Sequence, residues 1–567
     1  MSSGYAFFRK VPAIFDKSMR RVISCFDVIF VLPYPFSDHP SFPEGILRKA
    51  LELEGFRVGV IETPFWQKKE SFEALGKPKR FFAIISGPVD SVVLNYTSAR
   101  KRRKEDLYQL NGKAYFHGDP LSIKYKIRPD RTVIVFTNRI KELFHDVPIV
   151  IGGLEAALRC FAHYDFQQDK IRRSILLDSR ADILVTGMGE KQLVRIARIL
   201  ESGVSINDII LPGTARINNA LPEKNGCVEL PSFEAVLQDR TKLLEAHLML
   251  GKALLEGKGI VQRHADRYVV QYPVEDYNAS DLDHIYDQCY TRMHLKGEPY
   301  SPALRMNLFS ITSHRGCAGG CSFCSIGIHH GKKVISRSMG SIVKEIHSQT
   351  RHPEWKGYIT DIGGATANMY GDDCKVEGCL EPSCLYPERN RRFSPGKRYL
   401  ELLRECRKTP GVKKIFLGSG VRYDMLLNDP DLLEEILLYH SGRFLRIAPE
   451  HTEETVLNLM RKPSFNVLES FVRLFQSINQ KLKRRIELAP YLIVGHPGEK
   501  RVDVIEMKKK LTSLGLKATS VQIFTPTPGN LSTAMYYAGC GFSLKPIPVE
   551  KQIGELIKRK KLLASPR

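Results

Sequence analysis

The chain has 567 residues, a length that suggests two to four domains. Hydrophobic residues make up 43% and cysteines number only 12, which excludes global disorder and a disulfide scaffold. Lys and Arg number 85 against 62 for Asp and Glu, and the net charge of +23 permits an acidic partner such as RNA without requiring one. No window of about 18 uncharged apolar residues exists, so no spanning helix is expected. The apolar run near Val22–Pro35 is broken by Asp27 and reads as a strand, not a signal peptide. The expectation is a cytoplasmic protein with no membrane contact. Its cysteines should stay reduced, so any cluster of them points to metal or catalysis.

In chain order, residues 1–25 form an N-terminal segment, and residues 26–215 alternate short apolar runs with amphipathic ones. Phe26–Leu32, Arg57–Glu62, Phe81–Ser86, Thr132–Thr137, Pro148–Ile151 and Ala181–Thr186 read as strands. Gly45–Glu54, Leu154–Phe161 and Glu190–Glu201 have helical spacing. Several strands are nearly continuous in apolar character, as a parallel sheet covered on both faces requires. The pattern predicts a doubly wound α/β domain. Residues 216–300 are less regular and read as a connector, with a helix over Ser232–Glu256 and a short strand over Tyr268–Tyr272.

A second βα series fills residues 301–545. Its strand candidates are Leu308–Thr312, Gly357–Ile362, Lys414–Leu417, Phe444–Ile447, Ile486–Val494 and Ser520–Thr525. Six βα units in about 240 residues suggest an open, partial (β/α)6 barrel. Residues 546–567 read as a basic helix that frays into a tail. The basic runs Arg100–Lys104, Arg172–Arg173, Lys483–Arg485 and Lys508–Lys510 read as solvated faces, which only clustering in space would turn into a phosphate-binding surface.

The sharpest signal is Cys317-Ala-Gly-Gly-Cys321-Ser-Phe-Cys324. Three thiolates at this spacing can wrap a loop around an iron–sulfur cube, bind three irons and leave the fourth without a protein ligand. Gly316, Gly319 and Gly320 let the backbone curl tightly. Zinc, the competing reading, wants four ligands. The loop follows the first strand of the second series, at the barrel end where such folds keep their chemistry.

Three cysteines so spaced, with Phe323 before the last, resemble the radical S-adenosylmethionine (SAM) superfamily. The resemblance implies a [4Fe–4S] cluster on Cys317, Cys321 and Cys324, with SAM on its open iron. It also implies reductive cleavage of SAM to a 5′-deoxyadenosyl radical that abstracts hydrogen from a substrate. Asp361-Ile-Gly363-Gly364-Ala-Thr366-Ala-Asn368 resembles the superfamily's Gly-Gly-Glu motif, which meets the amino group of SAM, with Ala365 in place of the glutamate. The segment holding Pro449, Glu450 and His451 resembles the ribose-contacting fourth strand of methylthiotransferases. Gly495-His-Pro497-Gly498-Glu499 resembles their adenine-backing fifth strand, and Phe524–Gly529 the end of their sixth. Each glycine motif alone is satisfied by a tight turn. Four in register after the cysteine loop form the constellation.

The wider chain resembles the YgiQ family, through residues 38–42 and 55–59, Gly152-Gly153-Leu-Glu155-Ala156, Ala162-His163-Tyr164-Asp165 and Gly363–Asn368. That family has no settled substrate. The N-terminal domain resembles the cobalamin-binding domain that precedes many radical SAM barrels. The Asp-x-His-x-x-Gly motif is absent, since Asp38 and His39 are adjacent, and cobalamin is not expected.

A second cysteine group, Cys374, Cys379 and Cys384, lies in a polar loop and lacks the further cysteine expected of the family. Two readings stand: an auxiliary metal site completed by Cys406 or a histidine, or reduced loop thiols. His314, Arg315, His329, His330, Asp361, Arg422, Asp424 and His496 are candidates for substrate contacts, with structural hydrogen bonding as the alternative. The leading functional reading is a radical SAM enzyme fed by a low-potential one-electron reductant of the flavodoxin or ferredoxin type. An RNA-modifying, methylthiotransferase-like enzyme is the alternative, although residues 546–567 leave little room for an RNA-gripping module. A non-catalytic iron–sulfur or zinc protein is the reading from another class.

Overall fold

The computed structural model describes residues 15–16, 21–22, 26–116, 125–221, 226–295, 298–371, 379–387 and 396–564. The chain forms two compact units. The first comprises Met1–Gln238, Glu256–Asp276 and Tyr290–Leu308, and the second Asp239–Leu255, Tyr277–Cys289 and Phe309–Arg567.

In the first unit, β1 (Val28–Leu32), β2 (Val58–Glu62) and β3 (Phe81–Ile85) are buried at every position, as the unbroken apolar runs require. With β4 (Ile149–Gly152) and β5 (Ile183–Val185) they form a parallel array in the order 2-1-3-4-5, a doubly wound order whose switch point lies between β1 and β3. The sheet continues beyond β5 through β6 (Thr214–Asn218), β7 (Cys227–Leu230), β8 (Gly259–His264) and β9 (Arg267–Gln271), in the order β5-β6-β9-β8-β7. Pairs β5–β6, β6–β9 and β9–β8 are antiparallel, and β8–β7 is parallel. The stretch expected as a connector thus completes a nine-stranded mixed sheet. These strands interleave polar residues with apolar ones, as in Thr214-Ala-Arg-Ile-Asn218 and Gly259-Ile-Val-Gln-Arg-His264, so they lack the continuous apolar signal of the parallel half. The helix expected over Ser232–Glu256 is two, Phe233–Gln238 and Thr241–Leu255, and only the first belongs to this unit.

Thr132–Thr137 is a helix, not a strand. The β-branched start of Thr132–Leu143 imitates a buried strand, but Val133, Phe136, Thr137 and Ile140 are buried at helical spacing. The buried carboxylate of Glu155 accepts from Val133 N at 3.0 Å and from Ser91 N at 3.1 Å, tying together the starts of two helices.

In the second unit every strand pairing of the βα series is parallel. β10 (Ser310–Thr312) pairs with β12 (Asp361–Gly363), and β11 (Tyr358–Ile359) with β13 (Lys414–Ile415). Val421 bridges Ile447 of β14 (Phe444–Glu450), which pairs with β15 (Glu487–Val494), and β15 with β16 (Ser520–Ile523). The helices between them, among them Met339–Gln349, Gly396–Lys408 and Phe465–Lys481, close one continuous apolar core over the strands. The expected C-terminal helix is present and docked, and residues 565–567 of the expected tail lie outside the described residues. Ile553–Leu563 buries Leu556 and Leu563, and Arg559 pairs with Glu499 at 3.0 Å and Glu550 at 3.1 Å.

Candidate functional site

The ends of β10, β12, β14 and β15 converge on the cysteine loop. Gly316 takes φ +87°, and a Cβ there would lie 1.9 Å from Lys333 O. Gly320 takes φ +60°, where a Cβ would lie 2.3 Å from Pro382 O. Only glycine fits either place. Cys317, Cys321 and Cys324 are free and partly buried. Burial, then Cys321 and Cys317, push the Cys324 thiol up to about 12, and burial and Cys321 also raise Cys317. Thiols that raise one another share one small volume. Among the described residues no three His, Cys, Asp or Glu side chains are grouped to hold a single metal ion. A cubane asks for something else, one thiolate on each of three separate irons.

Buried cations compensate the charge that three thiolates would carry. A Cβ on Gly319 would lie 2.7 Å from Arg422 Nη1, 3.5 Å from Cys317 Sγ and 3.7 Å from Cys321 Sγ. Arg422 is paired bidentately with Asp424 at 3.0 and 2.8 Å. Lys462 donates to Ala448 O at 2.5 Å, and its charge acts on both Cys317 and Glu450. These groups suit a buried anionic cluster with three protein ligands.

The loop is clamped through Ser322. Its N donates to Met460 O at 3.0 Å and its Oγ to Leu459 O at 2.6 Å, while its carbonyl accepts from Ser532 N at 2.9 Å. The Ser532 hydroxyl lies 2.8 Å from Ser322 Oγ and 2.7 Å from His496 Nε2. Burial lowers the His496 pKa to about 3, so its ring is neutral and Nδ1–H donates to Pro497 O at 2.8 Å. The ring of Phe323 meets His496 edge-on. Ser322 and Ser532 carry no sequence signal of their own, because only tertiary contact joins them.

The glycine motifs lie around this loop. A Cβ on Gly363 would meet Ser419 Oγ at 2.6 Å, and one on Gly364 would meet His314 O at 2.6 Å. Thr366 Oγ1 donates to Gly420 O at 3.3 Å. Glu450 holds a left-handed backbone, φ +66°, at the end of β14, and burial raises its carboxyl pKa against the pull of Lys462 and Arg422. Gly495 and Gly498, at φ +79° and +96°, approach Leu556 and Leu459 so closely that a Cβ would sit 2.4 Å from each, with Pro497 between them.

The candidate substrate contacts divide. Arg422, Asp424 and His496 are committed to the partners above. Arg315 Nε donates to Tyr286 O–H at 3.0 Å, its guanidinium over that ring. His314 is buried, its Nδ1 3.0 Å from Ser313 Oγ, and burial lowers its pKa to about 4 against a hydrogen bond to the Thr366 backbone. Asp361 accepts from Ser419 N and Oγ at 3.2 and 3.1 Å, and burial pushes its carboxyl up to about 6. Burial also lowers His330, ahead of the charges of His329 and Arg315.

Of the second cysteine group, Cys374 lies outside the described residues. Cys384 N donates to Ala318 O at 3.0 Å and Ser383 Oγ to Gly319 O at 2.8 Å, so this segment lies against the cysteine loop. Lys332 Nζ donates to Cys379 Sγ at 3.3 Å. Cys406 is fully buried in the aliphatic core among Leu402, Leu403 and Ile346, which takes it out of any such site.

In the first unit the switch point between β1 and β3 is filled by side chains. Tyr34, two residues beyond β1, lies against Gly87, two beyond β3, where a Cβ would be 2.6 Å from its ring. Tyr34 O–H donates to Glu44 at 3.0 Å, the Arg128 guanidinium stands 5.4 Å over its ring, and Gln109 Nε2 donates to Pro33 O at 2.6 Å. Burial pushes the Glu44 carboxyl up to about 8. His39 is fully buried, its Nδ1 accepting from Ser41 N at 3.0 Å and its Nε2 lying 2.9 Å from Arg292 Nη1.

No helix among the described residues is long and apolar enough to cross a membrane. The family described as Radical SAM N-terminal matches residues 11–307, and the Radical SAM superfamily matches 311–511. A radical SAM domain binds SAM and carries a [4Fe–4S] cluster. A UPF0313 protein of Clostridium botulinum (strain ATCC 19397 / Type A) is 41% identical over 555 residues, 95% of this chain and 84% of that one. One from Methanosarcina acetivorans is 41% identical over 95% of this chain and 76% of its own, and one from Geobacter sulfurreducens 40% over 98% and 92%. Among solved structures, the radical SAM methyltransferase TsrM of Kitasatospora setae is similar at TM-score 0.49 and 17% identity, over 88% of this chain and 74% of that one. Cobalamin-dependent OxsB is similar at 0.48 and 11%, over 95% and 56%. With relatives at about 40% identity over almost its whole length and radical SAM matches on both halves, the chain belongs to the UPF0313, or YgiQ-type, family of the radical SAM superfamily.

Proposed function

We propose that the chain is an enzyme that cleaves SAM reductively and uses the resulting radical to take hydrogen from a substrate. Cys317, Cys321 and Cys324 are its cluster ligands. Gly363, Gly364 and Thr366, Glu450, Phe323, and Gly495, Pro497 and Gly498 form the surround for SAM, on what we read as a partial (β/α)6 barrel. The observation that carries this is one point in space. The Cβ position of Gly319 stands within 3.7 Å of two of the three thiols and of a buried guanidinium, in a loop that has no fourth cysteine. A [4Fe–4S] cluster held by Cys317, Cys321 and Cys324 would supply one-electron reduction of SAM to methionine and a 5′-deoxyadenosyl radical, and a hydrogen atom taken from the substrate would leave 5′-deoxyadenosine and a substrate radical. The electron comes from a flavodoxin- or ferredoxin-type donor. The residues supply position, charge compensation and exclusion of water, and the radical performs the hard step.

Cobalamin has no part in this reading. The crevice where a doubly wound domain takes its ligand holds Tyr34, Arg128 and Glu44, and His39 is engaged at both ring nitrogens. The test of the central reading is anaerobic reconstitution. The unaltered chain should carry about four irons on this loop and show an EPR signal that shifts on adding SAM. Cys317→Ala should lose both. Unchanged iron content and signal in that variant overturn the assignment.

A further inference from the structure

We propose that Arg422 sets the reduction potential of the cluster held by Cys317, Cys321 and Cys324, with Asp424 as the opposing charge that tempers it; this rests on the cluster reading above. Three features hold the guanidinium in place. Asn368, buried, clamps the Arg422 backbone from both sides, accepting from Arg422 N at 2.8 Å and donating to Arg422 O at 3.0 Å. Asp424 takes Nε and Nη2, the two nitrogens on one edge of the fork. That leaves Nη1 over Gly319, no farther from Cys317 Sγ or Cys321 Sγ than two short distances laid end to end, 2.7 Å and then 3.5 or 3.7 Å. Gly319 admits it, since a Cβ there would crowd Nη1 at 2.7 Å.

The pair is nearly removed from water, with the Arg422 side chain 10% exposed and that of Asp424 1%. Charges so placed are weakly screened. Reduction adds one negative charge to the cluster. A fixed cation beside two of its ligands stabilises the reduced form and raises the potential; a carboxylate behind that cation does the opposite at longer range. Cluster potentials respond to net charge and to hydrogen bonding at the sulfurs.

The experiment is an EPR-monitored redox titration of the anaerobically reconstituted full chain, with iron content measured in parallel. Arg422→Gln should move the midpoint to more negative potential, with the ratio of reduced to oxidised cluster at fixed potential falling about tenfold, or about 59 mV for one electron. Arg422→Lys should fall between Gln and the unaltered chain. Asp424→Asn should move the midpoint the other way. A purely structural role predicts the same outcome from breaking either end of one ion pair, so opposite shifts distinguish the two. Midpoints that move in the same direction, or stay with that of the unaltered chain at full iron content, overturn the proposal. If Arg422→Gln does not hold iron, Asp424→Asn still decides, because a midpoint that fails to rise refutes it. An unaltered chain without four irons fails the cluster reading itself, a distinguishable result.

Discussion

The carboxyl ends of the parallel strands are built in opposite ways in the two units. Beyond β1 and β3 of the first unit the chain fills its own crevice, with Tyr34 against Gly87, Glu44 beneath its hydroxyl and Arg128 over its ring. Beyond β10, β12 and β14 of the second unit, glycines stand where side chains would, and the thiols of Cys317 and Cys321 lie within 3.7 Å of the Cβ position of Gly319. A crevice filled by packed, mutually bonded side chains is closed to a ligand, whereas space kept clear by glycines beside buried thiols leaves room for a bound group. Parallel strand ends are thus filled in one unit and kept clear by glycines in the other.

The largest test of that contrast is Tyr34→Ala. Removing a fully enclosed aromatic ring should cost about 3–5 kcal/mol. The first unfolding transition in denaturant should move to lower concentration while the iron content of the second unit stays unchanged. Hydroxocobalamin should leave the visible spectrum of the unaltered chain as it is. Tight stoichiometric binding that His39→Ala abolishes breaks the contrast.

Glu44 gives a sign to the same plug. Its carboxyl stays protonated in the folded state up to about pH 8, through burial first and the Glu62 charge among lesser causes, while the unfolded group ionises near 4.5. The folded state therefore binds the extra proton between these values. Its stabilising contribution is complete below about 4.5 and is lost as pH rises toward 8, at no more than about 1.4 kcal/mol per pH unit. Urea midpoints of the first transition across that range should decline less steeply in Glu44→Gln. Parallel slopes would show that Glu44 ionises freely in the fold.

The smallest effect sharpens the other side. Ser532→Ala removes the hydroxyl between His496 and Ser322 and should cost about 1 kcal/mol. The cysteine loop should loosen, so that iron leaves faster to a chelator. An unchanged release rate would place the clamp in the backbone bonds of Ser322 alone.

The linear sequence already determined a good deal. Unbroken apolar runs dictated the buried parallel strands, and the spacing of Cys317, Cys321 and Cys324 with its glycines dictated a loop that surrounds something, because both are local properties of neighbouring residues. Pattern misled where two periods coincide, as in the β-branched start of Thr132–Leu143, whose helical face shows only when Ile140 is counted with Val133 and Phe136. It found β9, read as Tyr268–Tyr272, but was silent on β6, β7 and β8, where polar residues interrupt the apolar runs. Only the tertiary structure decided that Arg422 stands over Gly319, that Ser532 reaches Ser322 and that Tyr34 closes the switch point. Those contacts join residues far apart in the chain, 210 positions in the case of Ser322 and Ser532, and no local preference encodes a partner at that distance. They form when packing brings the strand ends together, and there the charge and the space around each group determine what it can do.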